Sequence, residues 1–256
     1  MSALEVIQIP CLADNYGYLV HDPSTGLTAS IDTPDTSPIE DILKKNNWRL
    51  SHIFNTHHHF DHTGGNLELK ARWNCIIIGS ATDADRIPGL DFGFYDQDTF
   101  DFGNHQITVF DVSGHTVGHI AFYFRDQQKL FCGDSLFSLG CGRLFEGTPE
   151  QMWRSLEKLR KLPEETKLYC AHEYTQANAN FALTIEPENE ILLERAREIS
   201  LLRQQGKPTI PSTIGLEKAT NPFLRPMSSD LQSNLGMKGA DLVDVFAETR
   251  RRKDIF

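Results

Sequence analysis

The sequence predicts an α+β protein, with a mixed and largely antiparallel β-rich domain over residues 1–172 and a helical domain over residues 173–256. Short runs rich in β-branched and aromatic residues recur through the first part, which is typical of strands. Beyond residue 170 the apolar residues recur at helical spacing instead. Four candidate metal ligands within residues 57–62 place the chemistry on the β-rich domain.

Each predicted element follows from a local pattern. The predicted strands are 4–9, 17–21, 27–31, 52–55, 75–79, 106–112, 120–124, 129–132 and 167–170. Ser37 and Pro38 suit the N-cap and first position of a helix to residue 47. Thr148 opens a capping box and a helix to about residue 161. The other predicted helices are 66–73, 174–183, 187–205 and 240–252, and 83–94 is predicted as a loop.

Composition limits the function classes. The chain has 256 residues and a formal net charge of −10, which argues against nucleic-acid binding. No apolar run approaches the roughly 18 residues that span a membrane, so no membrane partner is expected. The 5 cysteines lack CxxC spacing and are expected to be reduced thiols. We therefore expect a cytoplasmic protein, and we expect it to be a monomer.

The candidate site is organised around one histidine-rich segment. His57, His59, Asp61 and His62 form the pattern His-x-His-x-Asp-His, followed by Thr-Gly-Gly. Such donors suit zinc, iron or manganese. Alternate residues of an extended segment point the same way, so His57 and His59 can bind one ion while the other two reach a second. The alternative is a surface cluster or tag remnant, but a tag would lie at a terminus.

Three further candidates each follow a predicted strand, where proteins usually place reactive groups. They are His115, Asp134 and His172. Taken singly, each is more typical of a turn or cap residue. Taken with the cluster, they complete two ligand sets, in which Asp134 bridges both ions and open positions remain for catalysis. The predicted sets are His57, His59 and His115 for one ion and Asp61, His62 and His172 for the other.

These motifs resemble a known family. Similarity to the metallo-β-lactamase superfamily is carried by residues 56–62, 115–116, 133–134 and 172. A narrower resemblance, to the glyoxalase II (hydroxyacylglutathione hydrolase) family, is carried by residues 131–137, 140–148, 169–175 and 250–256. The resemblance covers essentially the whole chain. It implies a four-layer αββα metallo-β-lactamase-like sandwich followed by a small all-helical C-terminal domain.

The resemblance also implies an activity. The family hydrolyses S-(2-hydroxyacyl)glutathione thioesters, mainly S-D-lactoylglutathione, to glutathione and D-lactate in methylglyoxal detoxification. It uses two divalent metal ions per chain, with zinc expected first and iron or manganese as alternatives. The substrate-binding positions that it implies are Arg143, Phe145, His172, Tyr174, Arg250 and Lys253. Some members have tyrosine where this chain has Phe145, so a phenol hydrogen bond is absent there.

A mechanism follows from the predicted ligands. Because metal-bound water has a pKa near 7, a hydroxide bridging the two ions is expected to attack the thioester carbonyl. Asp134, which bridges the ions, and Asp61, which orients the hydroxide, are the predicted catalytic residues. A thiolate leaves readily since its pKa is about 8.5. No Ser-His-Asp triad is needed, and the cysteines are expected to be packing residues.

The remaining histidines are given minor roles. His21, His52 and His105 are expected to be surface or structural residues, and His58 is expected to point away from the ions. His119 is expected to support the site or pack beside it. Tyr174 has an alternative interpretation as a helix-packing residue.

Other functions fit parts of the pattern. A mononuclear-iron persulfide dioxygenase of the same superfamily would need fewer ligands than this sequence carries. A superfamily nuclease disagrees with the negative charge, and a non-catalytic metal-binding module disagrees with the spare coordination positions. The basic run 250–253 is predicted to bind the substrate's glycine carboxylate. Its alternative is a solvated helix end, where cations complement the helix dipole.

Overall fold

The computed structural model describes residues 3–256, which form two compact units. The first unit consists of residues 3–111 and 117–133, and the second of residues 112–116 and 134–256. The predicted boundary after residue 172 stays a prediction. No helix between residues 3 and 256 is both long and apolar enough to span a membrane.

One sheet of the first unit has six strands in chain order. Its first three strands pair antiparallel, and the next three are added in parallel. The strands are β1 (Glu5–Cys11), β2 (Asn15–Asp22), β3 (Leu27–Ile31), β4 (His52–Phe54), β5 (Ile76–Ser80) and β6 (Phe92–Phe94). Because β3 and β4 are parallel neighbours, their carboxyl ends lie at the same edge, where the histidine-rich segment begins.

The other sheet of this unit pairs four strands antiparallel. They are β7 (Thr99–Phe102), β8 (His105–Asp111), β9 (Ile120–Phe124) and β10 (Lys129–Gly133). The predicted strands agree with these bounds to within one residue for β8, β9 and β10. Two strands, β6 and β7, were not predicted because they have only 3 and 4 residues and lie among turn-forming residues.

The side chains of β4 join the layers of the first unit. Phe54 is fully buried, and its ring centroid lies 5.3 Å from those of Phe100 and Phe122 in the second sheet. Its neighbour Ile53 belongs to an aliphatic cluster that includes Leu43 of α1 (Thr36–Asn46) and Leu69 of α3 (Asn66–Trp73). Since successive strand residues point to opposite faces, β4 packs one face on helices and the other on the second sheet.

The start of α1 differs from the prediction. The predicted N-cap was Ser37, but Ser37 lies inside the first turn. Asp35 is the N-cap instead, and its side chain accepts a hydrogen bond from the Ser37 backbone N–H. Both residue types make good caps, so the sequence offered two adjacent candidates.

The second unit carries most of the helices. They are α4 (Pro149–Arg160), α5 (Thr175–Ile185), α6 (Glu190–Gln204), α7 (Ile214–Thr220), α8 (Ser229–Leu235) and α9 (Leu242–Asp254). The predicted capping box at Thr148 is confirmed, since Thr148 and Gln151 bond reciprocally at the start of α4. The unit's short strands are β11 (Leu136–Phe137), β12 (Gly140–Cys141), β13 (Lys167–Cys170) and β14 (Ser212–Thr213). Only β13 was predicted, because the others have two residues each.

A buried ion pair fixes the loop between β11 and β12. Arg195 of α6 bonds to Glu217 of α7, and both side chains are buried. Arg195 also donates to Ser138 Oγ, while Glu217 accepts from the Leu139 backbone N–H. A buried charge needs such partners because it has left water. The pair therefore holds residues 138 and 139 against two helices.

We predict that Phe54→Ala destabilises the first unit by about 3–5 kcal/mol, the range for removing a buried phenylalanine. The cost is the loss of burial plus the cavity left between the two sheets. Urea denaturation should report it as a lower free energy of unfolding. Phe60, which is 79% exposed, is the matched control. Phe60→Ala should change the free energy by less than about 0.5 kcal/mol, and equal effects would contradict the packing described for Phe54.

Candidate metal centre

The histidine-rich segment of the first unit brings three imidazoles together. It leaves β4 as a loop and continues into a single helical turn, α2 (Phe60–Thr63). His57 Nε2 lies 3.0 Å from His59 Nδ1, and the ring centroids of His57 and His62 are 4.0 Å apart. His57 and His62 are fully buried. The predicted ligands of this segment therefore share one small volume.

A buried carboxylate, Asp32, organises this segment. Asp32 follows β3, has a backbone φ of 56°, and accepts hydrogen bonds from both the N–H and the hydroxyl of Thr56, each at 2.8 Å. Its Oδ2 also lies 2.8 Å from His62 Nδ1. An ionised carboxylate only accepts, so the proton of His62 is on Nδ1. The lone pair on His62 Nε2 is thereby available to a metal ion.

The same argument fixes the tautomer of His57. The Thr56 hydroxyl donates to Asp32, so it accepts from His57 Nδ1, which lies 3.1 Å away. His57 then presents Nε2 as a lone-pair donor. His119 stacks on the His57 ring at 4.6 Å and an interplanar angle of 17°. This contact agrees with the supporting or packing role expected for His119.

Asp61 lies at the edge of the cluster. Its side chain is 39% exposed, and its Oδ2 lies 3.6 Å from His62 Nε2. Asn15 Nδ2 donates to the same oxygen at 2.9 Å and so fixes the carboxylate. His58, between the two predicted ligands, has its Nδ1 3.1 Å from Asp83 Oδ2.

Other histidines of this unit serve the structure. His21 is buried and stacks on Trp48, with ring centroids 4.2 Å apart. His105 is fully buried and bonds Asp126 at 2.6 Å. A surface location, one of the two alternatives predicted for these residues, is wrong for both. His52 packs edge-on against the buried ring of Phe102, with centroids 5.5 Å apart.

The second unit holds the other three predicted ligands. One oxygen of Asp134, Oδ2, lies 3.5 Å from His115 Nε2, and the other, Oδ1, lies 3.4 Å from His172 Nε2. All three side chains are buried. The two oxygens of one carboxylate thus face two different imidazoles. A metal ion placed beside each oxygen would find one nitrogen and one oxygen donor.

The loop after β12 holds His115 in place. His115 Nδ1 donates to the Arg143 carbonyl at 2.8 Å, which leaves the Nε2 lone pair toward Asp134. The neighbouring Gly142 is required there, because a Cβ at this position would lie 2.1 Å from the Asp134 carbonyl oxygen. His115 donates from Nδ1 to a carbonyl, and His62 donates from Nδ1 to a carboxylate. In both residues the Nε2 lone pair is therefore available to a metal ion.

A cavity of about 660 Å³ opens beside these ligands within the second unit. Its lining includes the predicted ligands His115 and Asp134 together with Lys253 of α9. Tyr174 stacks on His172 with ring centroids 4.6 Å apart and is 37% exposed. Phe145 is 64% exposed, and its ring lies 5.1 Å from that of His115. Aromatic faces thus flank the ligand end of the cavity.

The basic run of α9 is divided between two environments. Arg251 and Arg252 pair with Glu248, as expected of a solvated helix end. Arg250 and Lys253 instead line the cavity. The two central arginines thus have the contacts of a solvated helix end, whereas substrate binding by Arg250 and Lys253 stays a prediction.

Arg250 is turned inward and is only 5% exposed. It donates to the Cys141 carbonyl at 2.9 Å and forms an ion pair with Asp254, with Nη2 and Oδ1 2.9 Å apart. Its guanidinium carbon lies 5.1 Å from the centroid of the Phe223 ring. These contacts use only part of the five N–H donors of the guanidinium, and its buried Nε–H has no hydrogen-bond partner among residues 3–256.

Of the two cations that α9 contributes to the cavity, Lys253 is better exposed than Arg250. Its Nζ donates to the Ala177 carbonyl at 3.3 Å and lies 5.3 Å and 5.1 Å from the rings of Phe181 and Phe256. Burial against these groups lowers the pKa of Lys253 to about 8, and the charges of Arg250 and Arg143 act in the same direction. Lys253 is thus still largely protonated at pH 7.

The cysteines are unsuited to nucleophilic catalysis. All five thiols are buried. Burial raises the pKa of Cys141 to about 11 and that of Cys170 to about 12, the opposite of what a reactive thiolate needs. These shifts support the packing role expected for them.

Family models match the chain over nearly all its length. The metallo-beta-lactamase superfamily model matches residues 16–172, and the model of the hydroxyacylglutathione hydrolase C-terminus matches residues 173–256. The hydroxyacylglutathione hydrolase of Methylococcus capsulatus is 56% identical over 99% of both chains. That of Rhizobium johnstonii is 52% identical over 100% of both. This chain belongs to the hydroxyacylglutathione hydrolase family.

Solved structures show the same fold at lower identity. ETHE1 from Myxococcus xanthus matches with a TM-score of 0.67 and 23% identity, covering 98% of this chain and 100% of the other. BLEG-1 B3 metallo-beta-lactamase matches with a TM-score of 0.66 and 21% identity, covering 86% of this chain and 100% of the other. The predicted α+β sandwich and helical C-terminal region are confirmed.

The superfamily and the donor chemistry together indicate a divalent metal site. Each predicted ligand offers an imidazole nitrogen or a carboxylate oxygen, which are the donors that such ions prefer. Two supporting residues, Asp32 and Asn15, were not predicted. Asp32 follows a predicted strand, as the ligands do, and that signal could have identified it.

We predict that Asp32→Asn lowers metal affinity about 10–100-fold, the usual cost of losing a group that orients a metal-binding histidine. The amide cannot act as a full acceptor for both Thr56 and His62, so the tautomer of His62 is no longer fixed. Chelator competition measures the affinity directly. Asp126→Asn is the matched control, because it alters a histidine–carboxylate pair away from the candidate ligands. Equal metal affinity in the wild type and Asp32→Asn would contradict the assignment.

Proposed function

We propose that this chain hydrolyses S-(2-hydroxyacyl)glutathione thioesters, mainly S-D-lactoylglutathione, to glutathione and D-lactate. The observation that carries the proposal is the cavity of the second unit, which combines candidate metal ligands with cations suited to an anionic tripeptide. Relatives named hydroxyacylglutathione hydrolase, alike over the full chain, support the same reaction. Water adds to the thioester carbonyl carbon, the C–S bond breaks, and an acid and a thiol are released.

We further propose that two divalent ions, zinc first, are held by the seven predicted ligands. They are His57, His59, Asp61, His62, His115, Asp134 and His172. The oriented nitrogens of His57, His62 and His115 support this proposal. So does the carboxylate of Asp134, whose oxygens face two imidazoles. When bound, such ions supply Lewis acidity, which lowers the pKa of water and polarises a carbonyl oxygen.

The chain's own residues supply orientation. Asp61, which Asn15 holds by a hydrogen bond, accepts a hydrogen bond from the attacking water. This bond orients the water so that a lone pair of its oxygen points toward the carbonyl carbon. The two oxygens of Asp134 face His115 and His172, so this one carboxylate offers a donor beside each imidazole. Tyr174 and Phe145 confine the acyl group at the ligand end of the cavity, where both rings are partly exposed.

Glutathione recognition is assigned to the cations of the cavity. Arg143, whose side chain is 65% exposed, and Lys253 carry the charges that a glycine carboxylate can reach. Charge-assisted hydrogen bonds of this kind contribute about 1.5–3 kcal/mol when well formed. Arg250 reinforces the local positive charge from its buried position. An acidic protein needs such a local patch because its overall field repels anions.

A cytoplasmic location is also proposed, because five buried thiols suit a reducing compartment. The monomeric state stays a prediction. An iron-dependent dioxygenase gains no specific support, since the relatives alike over the full chain are named hydroxyacylglutathione hydrolase.

We predict that the zinc-loaded protein consumes S-D-lactoylglutathione, followed as loss of thioester absorbance. Asp134→Ala should reduce kcat by more than about 100-fold, beyond the cost of losing a merely supporting group, and bind fewer than two ions per chain. Asp230→Ala, a change of an exposed carboxylate in the same unit, should leave both quantities unchanged. Uptake of oxygen with one iron per chain, instead of thioester loss, would show that the proposed reaction is wrong.

We also predict that KM for S-D-lactoylglutathione rises with pH through the pKa of Lys253, about 8. Lysine is charged below its pKa and neutral above it, so the ion pair with the substrate carboxylate is complete near pH 7 and weakens as pH increases. KM should be steady from pH 6 to 7 and increase about tenfold by pH 9.5, since each 1.4 kcal/mol of binding free energy corresponds to a factor of about ten.

The control for this experiment keeps the charge. In Lys253→Arg the guanidinium stays protonated over the whole pH range. Any rise in KM that remains in this variant is therefore caused by titration of the substrate or of other groups. Wild-type and Lys253→Arg profiles that rise in parallel would show that Lys253 does not bind the substrate carboxylate.

A further inference from the structure

One acidic side chain that lines the cavity of the second unit, Asp254, has no role in the proposed reaction. Among the described lining residues, Asp254 is the only acidic side chain besides the predicted ligand Asp134. Asp254 is the last residue of α9, and its side chain is 43% exposed. It lies on the helix turn that carries Lys253 to the cavity. A carboxylate repels anions, so its presence beside cations that are proposed to bind carboxylates calls for an explanation.

Asp254 is fixed in position by the guanidinium groups around it. Its Oδ1 forms an ion pair with Arg250, at 2.9 Å from Nη2, and lies 4.0 Å from Arg143 Nε. Arg250 is itself held by the Cys141 carbonyl and is almost fully buried. The Oδ1 oxygen is therefore anchored to the protein while the side chain stays open to the cavity. Oδ2 takes no hydrogen bond from residues 3–256, so it is able to accept one from a ligand.

The cavity wall offers partners for both kinds of charge on glutathione. Arg143, Arg250 and Lys253 are cations, and Asp254 is the anion. A glutathione conjugate carries two carboxylates and one ammonium, the last on its γ-glutamyl residue. Opposite charges across a binding surface fix register and reject ligands with the wrong pattern. We propose that Asp254 binds the γ-glutamyl ammonium and selects conjugates that carry it.

This inference deepens the proposed function and rests on it for the identity of the ligand. A different role for Asp254 is to fix Arg250 alone, which would support every anionic ligand equally. The two roles differ in one respect. A contact with the ammonium affects only ligands that have this group, whereas support of Arg250 does not depend on it.

The test measures equilibrium binding and needs no turnover. Isothermal titration calorimetry compares a non-hydrolysable S-alkylglutathione with its N-acetylated form, which has no ammonium charge. Asp254→Asn should weaken binding of the free-amine compound about fivefold, the upper range for an exposed ion pair, and change binding of the acetylated compound by less than twofold. Asp254→Ala is the second variant and should behave in the same way.

Glu248→Gln is the matched control. It removes one negative charge from the same helix, at a residue that pairs with Arg251 and Arg252 instead of lining the cavity. It should leave both dissociation constants within twofold of the wild type. This control removes the contribution of overall charge from the comparison.

Two outcomes overturn the inference. Equal weakening of both compounds by Asp254→Asn would show that Asp254 only supports Arg250, and unchanged binding of both would show that it contacts neither. The proposed function is tested separately by wild-type turnover. Wild-type protein that binds S-alkylglutathione but does not hydrolyse S-D-lactoylglutathione would overturn the reaction and leave the ammonium contact standing. Wild-type protein that binds neither compound would overturn both.

Discussion

The candidate metal centre of the first unit depends on one buried carboxylate. Asp32 accepts three hydrogen bonds, two from Thr56 and one from His62. A buried carboxylate without hydrogen bonds would cost free energy of folding, so Asp32 depends on these three donors. The donors depend on Asp32 in turn, because it fixes their orientation. Through Thr56 the same group also sets the proton of His57. The ligands are thus oriented before any ion arrives, which reduces the ordering that metal binding must impose.

The sequence was most informative where chemistry and spacing coincide. Three imidazoles and a carboxylate within residues 57–62 predicted a metal site, and full-length similarity to the family supports the same conclusion. Asp32 was not predicted, because a single aspartate after a strand is usually a turn residue. Its importance comes from the pairing of β3 with β4, which is a long-range contact. Strands β6 and β7 were not predicted for a similar reason. Each is short, and its extended conformation depends on hydrogen bonds to the neighbouring strand more than on a pattern in its own residues.

The basic run at residues 250–253 illustrates a second limit. Composition alone predicted a cationic patch, and only the resemblance to the family singled out Arg250 and Lys253 within it. The helix places Arg250 and Lys253 on the cavity side and turns Arg251 and Arg252 toward Glu248. Helical spacing alone puts Asp254 four residues after Arg250, so their pairing was predictable once the helix was assigned. The burial of Arg250 was not, because it depends on Cys141 and Phe223 from other parts of the unit.

The position of α9 has a consequence for how the protein resists unfolding. Phe246 of this helix packs on Trp153 of α4, and the cavity residues Lys253 and Asp254 lie on its last turn. Helix ends fray, so the groups proposed to bind glutathione lie on a segment with little intrinsic stability. A ligand that binds these groups binds only the ordered helix. Binding of ligand in the cavity and ordering of the last turn of α9 are therefore thermodynamically linked. A higher concentration of ligand in the cell would stabilise the folded chain and lengthen its lifetime.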